Sequence, residues 1–251
     1  MKNLIFLLAL LFSFSGIASV SILSDLDDTI KISGSDGNPT DLVGDTVFTG
    51  ITEFFKGAKT YSNSLYILSA SPTFMKPIIK NTLKKRNIEY KSLILRRNIT
   101  EDKFKYKFRE IKKILASSTD QFILIGDDLG KDPEVYAEIE KQFPDRILES
   151  YIHVVNGRSL PSEVVPYYTS FDLFMREYLA NRMTPGWVEK GWESLILETK
   201  FNHIFPNRAV CPDDAAVYEW QMATHYQQEA TQLATRLTTI CQVRQSDNIL
   251  P

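Results

Sequence analysis

The stretch Ser24-Asp25-Leu26-Asp27-Asp28-Thr29-Ile30-Lys31, SDLDDTIK in one-letter form, decides how the rest of the chain is read. It follows the short apolar run 20–23. Three carboxylates within four residues repel one another. A loop kept soluble by charge needs no apolar strand before it, and a buried strand does not carry such charges. The combination points to a strand end that presents carboxylates to a cation and uses them.

Outward from this stretch, apolar runs at 65–68, 93–95 and 122–125 read as strands, and Ile147 with 151–155 as a further one. Between them, 51–58, 72–86, 105–115 and 133–142 carry helical period. In 72–86 the period places Phe74, Ile78, Ile79 and Leu83 on one side and lysines on the other. Near-continuous apolar strands alternating with helices predict parallel pairing in a doubly wound α/β sheet. Such sheets bind ligands beyond the carboxyl ends of their strands. The polar residues fall there: Asp25 and Asp27 after one strand, Ser69 after another, Asp127 and Asp128 after a third. Segment 32–50, rich in Gly, Asp and Thr and without helical period, reads as a hairpin or small flap over those ends, too short for a separate cap domain.

The chain has 251 residues, 43% hydrophobic and 24% charged, which allows a sizeable core. Its net charge of −2 singles out no polyanionic partner. The charge is uneven, however: 76–113 holds 14 Lys and Arg against 4 Asp and Glu. Such a segment attracts phosphates, anionic lipid or nucleic acid, or is simply a solvated helix face.

The N-terminus has the layout of a secretory signal peptide over 1–18: Lys2, the apolar run 4–14, then Gly16-Ile17-Ala18 before a cleavage point. An uncleaved anchor is the rival reading. The expected location is therefore exported, periplasmic or secreted. Cys211 and Cys241 form a disulfide on this reading, and two buried thiols otherwise. After the α/β region, 19–180, the segment 181–251 changes character and reads as a helical C-terminal extension. Tyr226, Ala230, Leu233, Leu237 and Ile240 step along one face of an amphipathic helix, with Pro212-Asp213-Asp214 as a candidate start.

The strand-end residues suit phosphoryl transfer. One aspartate serves as nucleophile toward phosphorus, and a second, two residues on, protonates the leaving oxygen and then activates water. The charge developing on phosphoryl oxygens calls for a fixed lysine, hydrogen-bond donors and a hard cation such as Mg²⁺.

In order, DLDDT at Asp25, LSASP at Leu68, Lys107 within YKFREIKKIL, and GDDLGKDPEVY at Gly126 resemble the four motifs of the haloacid dehalogenase superfamily of phosphohydrolases. With LILR ending at Arg96 and ILIGDDLGKDPEVYAEIEKQFPDRI from Ile123, the pattern over about 21–155 is similar to the catalytic domain of actin-patch type phosphatidate phosphatases. The resemblance implies a three-layer, Rossmann-like parallel sheet with a small flap and no large cap. It implies Asp25 as nucleophile and Asp27 as general acid/base. It implies Ser69, with Ala70 beside it, against the phosphoryl oxygens, and Lys107 rather than Lys103 or Lys105 as the neutralising cation. Mg²⁺ would be held by Asp25, Asp127 and the main-chain carbonyl of Asp27, with Asp132 either a further ligand or a support behind the ligands. Arg96 would meet a second anionic group, or else be a surface arginine. Asp28 is expected to fix the turn. Asp128 and Ala70 depart from the usual pattern of the subgroup and bear on substrate fit.

The expected partner is a phosphomonoester, extending to a lipid phosphate at a membrane surface, and no nucleic acid. A phosphatase of soluble phosphomonoesters and a non-catalytic exported binding protein on the same fold are the alternatives. His153, His203 and His225 show no ligand spacing and carry no expected chemistry.

Overall fold

In strand β1 (Val20–Ser24), Ile22 and Leu23 point to opposite faces and both are buried, in two different apolar clusters. Strand β2 (Ser62–Pro72) alternates likewise, Leu65 and Ile67 against Tyr66 and Leu68. So does β4 (Gln121–Asp127), Ile123 and Ile125 against Phe122 and Leu124. A strand apolar on both faces is stable only with helices on both sides, which fixes a three-layer architecture. The computed structural model describes residues 19–33, 44–205, 209–211 and 225–246. The expected leader 1–18, the flap centre, Trp220 and the expected helix start at Pro212-Asp213-Asp214 lie outside them.

Strands β3 (Ser92–Arg96), β5 (Ile147–His153) and β6 (Val165–Tyr167) complete a six-stranded sheet of order β3-β2-β1-β4-β5-β6. Every neighbouring pair is parallel. The order reverses at β1, so the crevice expected of such sheets opens at the carboxyl ends of β1 and β4.

Helices α1 (Ile51–Ala58) and α2 (Lys76–Lys85) cover one face through Phe54, Phe55, Ile79 and Leu83. Helices α3 (Lys103–Ala116) and α4 (Asp132–Gln142) cover the other through Ile111, Leu115, Val135, Tyr136 and Ile139. The flap has a paired base: Ile32 N–H donates to Thr46 (3.1 Å) and Phe48 N–H to Ile30 (3.0 Å).

The C-terminal helices α5 (Ser170–Leu179), α6 (Pro185–Leu197), α7 (Phe201–Ile204) and α8 (Gln227–Ser246) extend the α1 side. Tyr226, Ala230, Leu233, Leu237 and Ile240 are all buried, in the cluster that holds Ile22 and Ile123. The described helices after residue 180 therefore pack into the cluster on one face of the α/β sheet. Cys211 and Cys241 are joined by a disulfide.

Two local expectations are corrected. Strand β2 does not stop at Ser69 but runs on to Pro72, with an irregular register between them. The expected helix 72–86 begins only at Lys76, after a 3₁₀ turn at Thr73–Met75. Pro77 is the reason. A proline is tolerated in the first helical turn but breaks a helix interior. Phe74 and Ile78 are thus exposed, while Ile79 and Leu83 carry the packing.

Candidate active site

The Asp25 amide donates to the Ile125 carbonyl (2.8 Å), so the chain leaves β1 still tied to β4. Its carboxylate faces that of Asp127, the last residue of β4. Asp132 opens α4, and Gly126 lets it approach: a Cβ at that position would lie 2.6 Å from Asp132 Oδ2. Asp25, Asp127 and Asp132 consequently bring carboxylate oxygens within 4.8 Å of one another, and all three are buried.

Lys107 lies on the face of α3 that carries Ile111 and Ile114, so its chain runs inward. Its Nζ stands 2.9 Å from Asp25 Oδ1 and also pairs with Asp132 Oδ1. Lys103 lines the mouth of the crevice instead. The Lys105 amide donates to the capping carboxylate of Asp102 (2.9 Å).

Three carboxylates and one ammonium leave an excess of negative charge in a dry place. Burial pushes the Asp25 carboxyl well above the usual range. Lys107 pulls it back, and Asp132, Asp127 and Asp27 push it further. Burial, then Asp132, push Asp127 up to about 7 against the pull of Lys107. Burial disfavours the Lys107 charge, but Asp132, Asp25 and Asp127 outweigh it and hold the ammonium above the ordinary lysine value. Asp25 Oδ1, though close to Lys107, has no well-aligned hydrogen bond. An under-bonded set of hard oxygen donors with surplus negative charge fits a hard divalent cation.

The Asp27 carboxylate stands beside this cluster but is not part of it. Its Oδ2 accepts from Ser71 Oγ (2.7 Å) and Ser69 Oγ (3.1 Å). Ser69 is fully buried and also accepts from the Ser71 amide (3.0 Å), while Ala70 and Ser71 line the mouth. Ser71 is a site residue that the sequence reading misses. The signal is the period of two in SASP, which puts residues 69 and 71 on one side of a strand.

Asp28 takes a left-handed turn (φ 56°), a conformation Asp tolerates, and its carboxylate bonds Ser33 at the flap base. Asp128 accepts from the amides of Val155 (2.8 Å), Asn156 (2.7 Å) and Gly157 (2.7 Å), which explains an acid where a small residue is usual: it ties down the loop after β5. His153 is buried with Nδ1 2.6 Å from the Asp28 carbonyl, a supporting contact that no spacing announces. Arg96 lines the mouth, its Nη1 donating to the Glu101 carbonyl (2.9 Å), while its buried Nε has no acceptor among the described residues.

A family model described as phosphatidate phosphatase APP1, catalytic domain, matches residues 20–154. That span holds the whole carboxylate cluster, Lys107 and strands β1 to β5. An uncharacterized protein of Schizosaccharomyces pombe, C29B5.04c, is 29% identical over 153 residues, covering 54% of this chain. The chain spans about a quarter (25%) of that relative's length. No solved structure matches the chain.

Proposed function

We propose, from the premise that the chain belongs to the APP1 catalytic-domain family of phosphatidate phosphatases, that it is a Mg²⁺-dependent phosphatase acting on phosphatidate or a related lipid phosphate through an aspartyl-phosphate. One observation carries this reading: Asp25 is pressed against Lys107 inside a buried carboxylate cluster, with Asp27 held next to it by two hydroxyls.

The Asp25 carboxylate is the nucleophile. One of its oxygens bonds to phosphorus as the ester oxygen leaves. The Asp27 carboxyl gives its proton to that oxygen, so diacylglycerol departs as a neutral alcohol. Asp27 then accepts a proton from water, whose oxygen attacks phosphorus, releases inorganic phosphate and restores Asp25. Ser69 and Ser71 orient Asp27 for both transfers. Lys107 offsets charge on Asp25 and on the phosphoryl oxygens beside it. Mg²⁺, held by Asp25, Asp127, Asp132 and the Asp27 main-chain carbonyl, would neutralise charge on the transferring group. Arg96, which lines the mouth, suits anionic oxygens of the lipid head group. We also read the chain as exported, which the Cys211–Cys241 disulfide supports.

The test is Mg²⁺-dependent phosphate release from dispersed phosphatidate, run with EDTA and with Asp25→Asn. Release by the wild type alone, abolished by chelation and by the variant, is the expected result. A folded wild type that spares phosphatidate but hydrolyses soluble phosphomonoesters would replace the lipid by a soluble substrate. One that hydrolyses neither would leave a binding protein.

A further inference from the structure

In a parallel sheet every connection that leaves a strand's carboxyl end emerges on the same edge. Here the connections after β3, β2, β1 and β4 lie side by side around Asp25. Connections at a water-facing edge ordinarily present polar tips. Three of these present a large apolar side chain instead. After β2 it is Phe74, 73% exposed; after β3, Ile99, 61% exposed; after β4, Leu129, 42% exposed. Leu129 lines the mouth of the catalytic crevice, and Phe74 follows Pro72, which lines it too. Ile78, one turn beyond Phe74, is also exposed.

The same connections and the helix starts that follow them carry Lys76, Arg97, Lys103 and Lys131, all exposed. The acidic groups among them are engaged elsewhere. Glu101 pairs with Arg109, Asp102 caps α3, and Asp128 is buried, accepting from amides of the loop after β5. Of the four cations Lys131 has an acidic neighbour, Glu134, at 3.9 Å. Around the carboxylate-rich crevice the rim therefore combines separate apolar tips with cations, of which Lys76, Arg97 and Lys103 form no ion pair among the described residues.

Single apolar tips between cations match an anionic bilayer surface, where tips enter the acyl boundary and Lys or Arg rest at head-group level. Among the described residues no helix is long and apolar enough to cross a membrane. We infer that the edge formed by the connections after β2, β3 and β4 is an interfacial docking surface for an anionic lipid bilayer, with Phe74, Ile99 and Leu129 as the inserting side chains. This rests on the lipid-phosphate reading and deepens it: the crevice mouth faces the bilayer, so a phosphate at head-group level reaches Asp25 while its acyl chains stay in the lipid.

The test separates docking from hydrolysis. Vesicles of phosphatidylcholine with phosphatidylglycerol, a phosphodiester and so not a substrate, are sedimented with the full chain and with a Phe74→Ser/Ile99→Ser double variant. Both replaced side chains are exposed, and thermal unfolding checks that the variant remains folded. Wild type is expected to bind, more weakly at raised salt and on phosphatidylcholine alone, and the variant's affinity to fall at least about tenfold. A Lys76→Glu/Arg97→Glu variant is expected to lose the salt-sensitive part. Phosphatidate in vesicles is expected to be hydrolysed more slowly by the apolar variant, and a soluble phosphomonoester at the wild-type rate. Equal vesicle binding by wild type and the folded apolar variant overturns the docking surface, whatever else anchors the chain. Equal hydrolysis of vesicle phosphatidate by both overturns it too and leaves the phosphatase reading standing. Vesicle binding lost in the variant, with no phosphatidate hydrolysed by either, sustains the surface and removes the lipid-phosphatase reading.

Discussion

Lys107 Nζ lies 2.9 Å from Asp25 Oδ1 with both side chains buried, and the same ammonium is shared with Asp132. One cation thus serves a cluster of three carboxylates, and the metal-free site is short of positive charge. Removing charge from the two sides of this pair must then act in opposite directions on stability, while activity falls in both cases.

Asp25→Asn is expected to raise the melting temperature of the metal-free protein by a few degrees, because it relieves crowding among the carboxylates. It is expected to lower turnover by about 10⁴-fold or more, the scale seen when a nucleophile is removed. Lys107→Met does the reverse to stability, costing about 3–5 kcal/mol by leaving buried carboxylates unpaired. It costs about 10²–10³ in kcat. Calorimetry in EDTA beside turnover in Mg²⁺ checks both. An Asp25→Asn protein that melts lower than wild type would mean that the cluster is not charge-strained.

The pH dependence follows from Asp127. Burial and Asp132 push its carboxyl up to about 7, while an aspartate in the unfolded chain titrates near 3.9. Between those values the folded protein keeps a proton that the unfolded chain has released. The associated stability is complete below the unfolded value and is lost as pH rises through the folded one. Asp25 is raised too and acts in the same sense. For Asp127 alone the loss amounts to about 4 kcal/mol. On the proposed reading a divalent cation binds the ionised carboxylates, so its stabilising effect is expected to grow over the same interval. Melting temperatures in EDTA are expected to fall from about pH 5 to about pH 8, and to stay nearly level in Mg²⁺. Parallel curves in the two conditions would place the cation elsewhere.

Gly126 is where the approach of Asp132 to β4 depends on a missing side chain. A methyl group there would sit 2.6 Å from Asp132 Oδ2 and 2.7 Å from its Cβ. Gly126→Ala is therefore expected to displace Asp132 from Lys107 and from the cluster. The Mg²⁺ concentration giving half-maximal activity should rise by about tenfold or more, the range found when groups that orient metal ligands are altered. Unchanged Mg²⁺ dependence in this variant would show that Asp132 is not needed for the ion.

Asp25, Asp27 and Asp127 are legible in the sequence because each sits just past an apolar run, and a parallel sheet gathers such positions at one edge, whereas Asp132, which opens α4, is reached only through the resemblance. Lys107 is singled out by the resemblance to the phosphohydrolase motif and not by periodicity, since Lys103 shares its helical face. Ser71 is not legible, since a second hydroxyl at a strand end is ordinary until its partner Asp27 is seen beside it. Phe74 is misread by carrying the period of α2 back through Pro77, and the side chain then belongs to the exposed rim. Strand β6 gives no signal: it has three residues, one of them Pro166, and holds only because it is an edge strand paired to β5. The periodicity of α8 is plain, but periodicity does not say which surface a helix covers.

That surface is the α1 side of the sheet, and it makes a last prediction. Leu233 is buried in the cluster that contains Ile22, Phe54 and Ile123, although the family match ends at residue 154. Leu233→Ala is expected to cost about 2–5 kcal/mol. Reducing the Cys211–Cys241 bridge, which spans a sequence separation of 30, is expected to cost about 3–4 kcal/mol. If α8 completes the core on which β1 and β4 rest, these losses lower one shared transition. Intrinsic fluorescence of the three tryptophans and phosphatase activity would then be lost together at the lower temperature. A separate helical appendage would melt first and leave activity at its wild-type temperature, so monitoring both signals in one Leu233→Ala melt decides between the two arrangements.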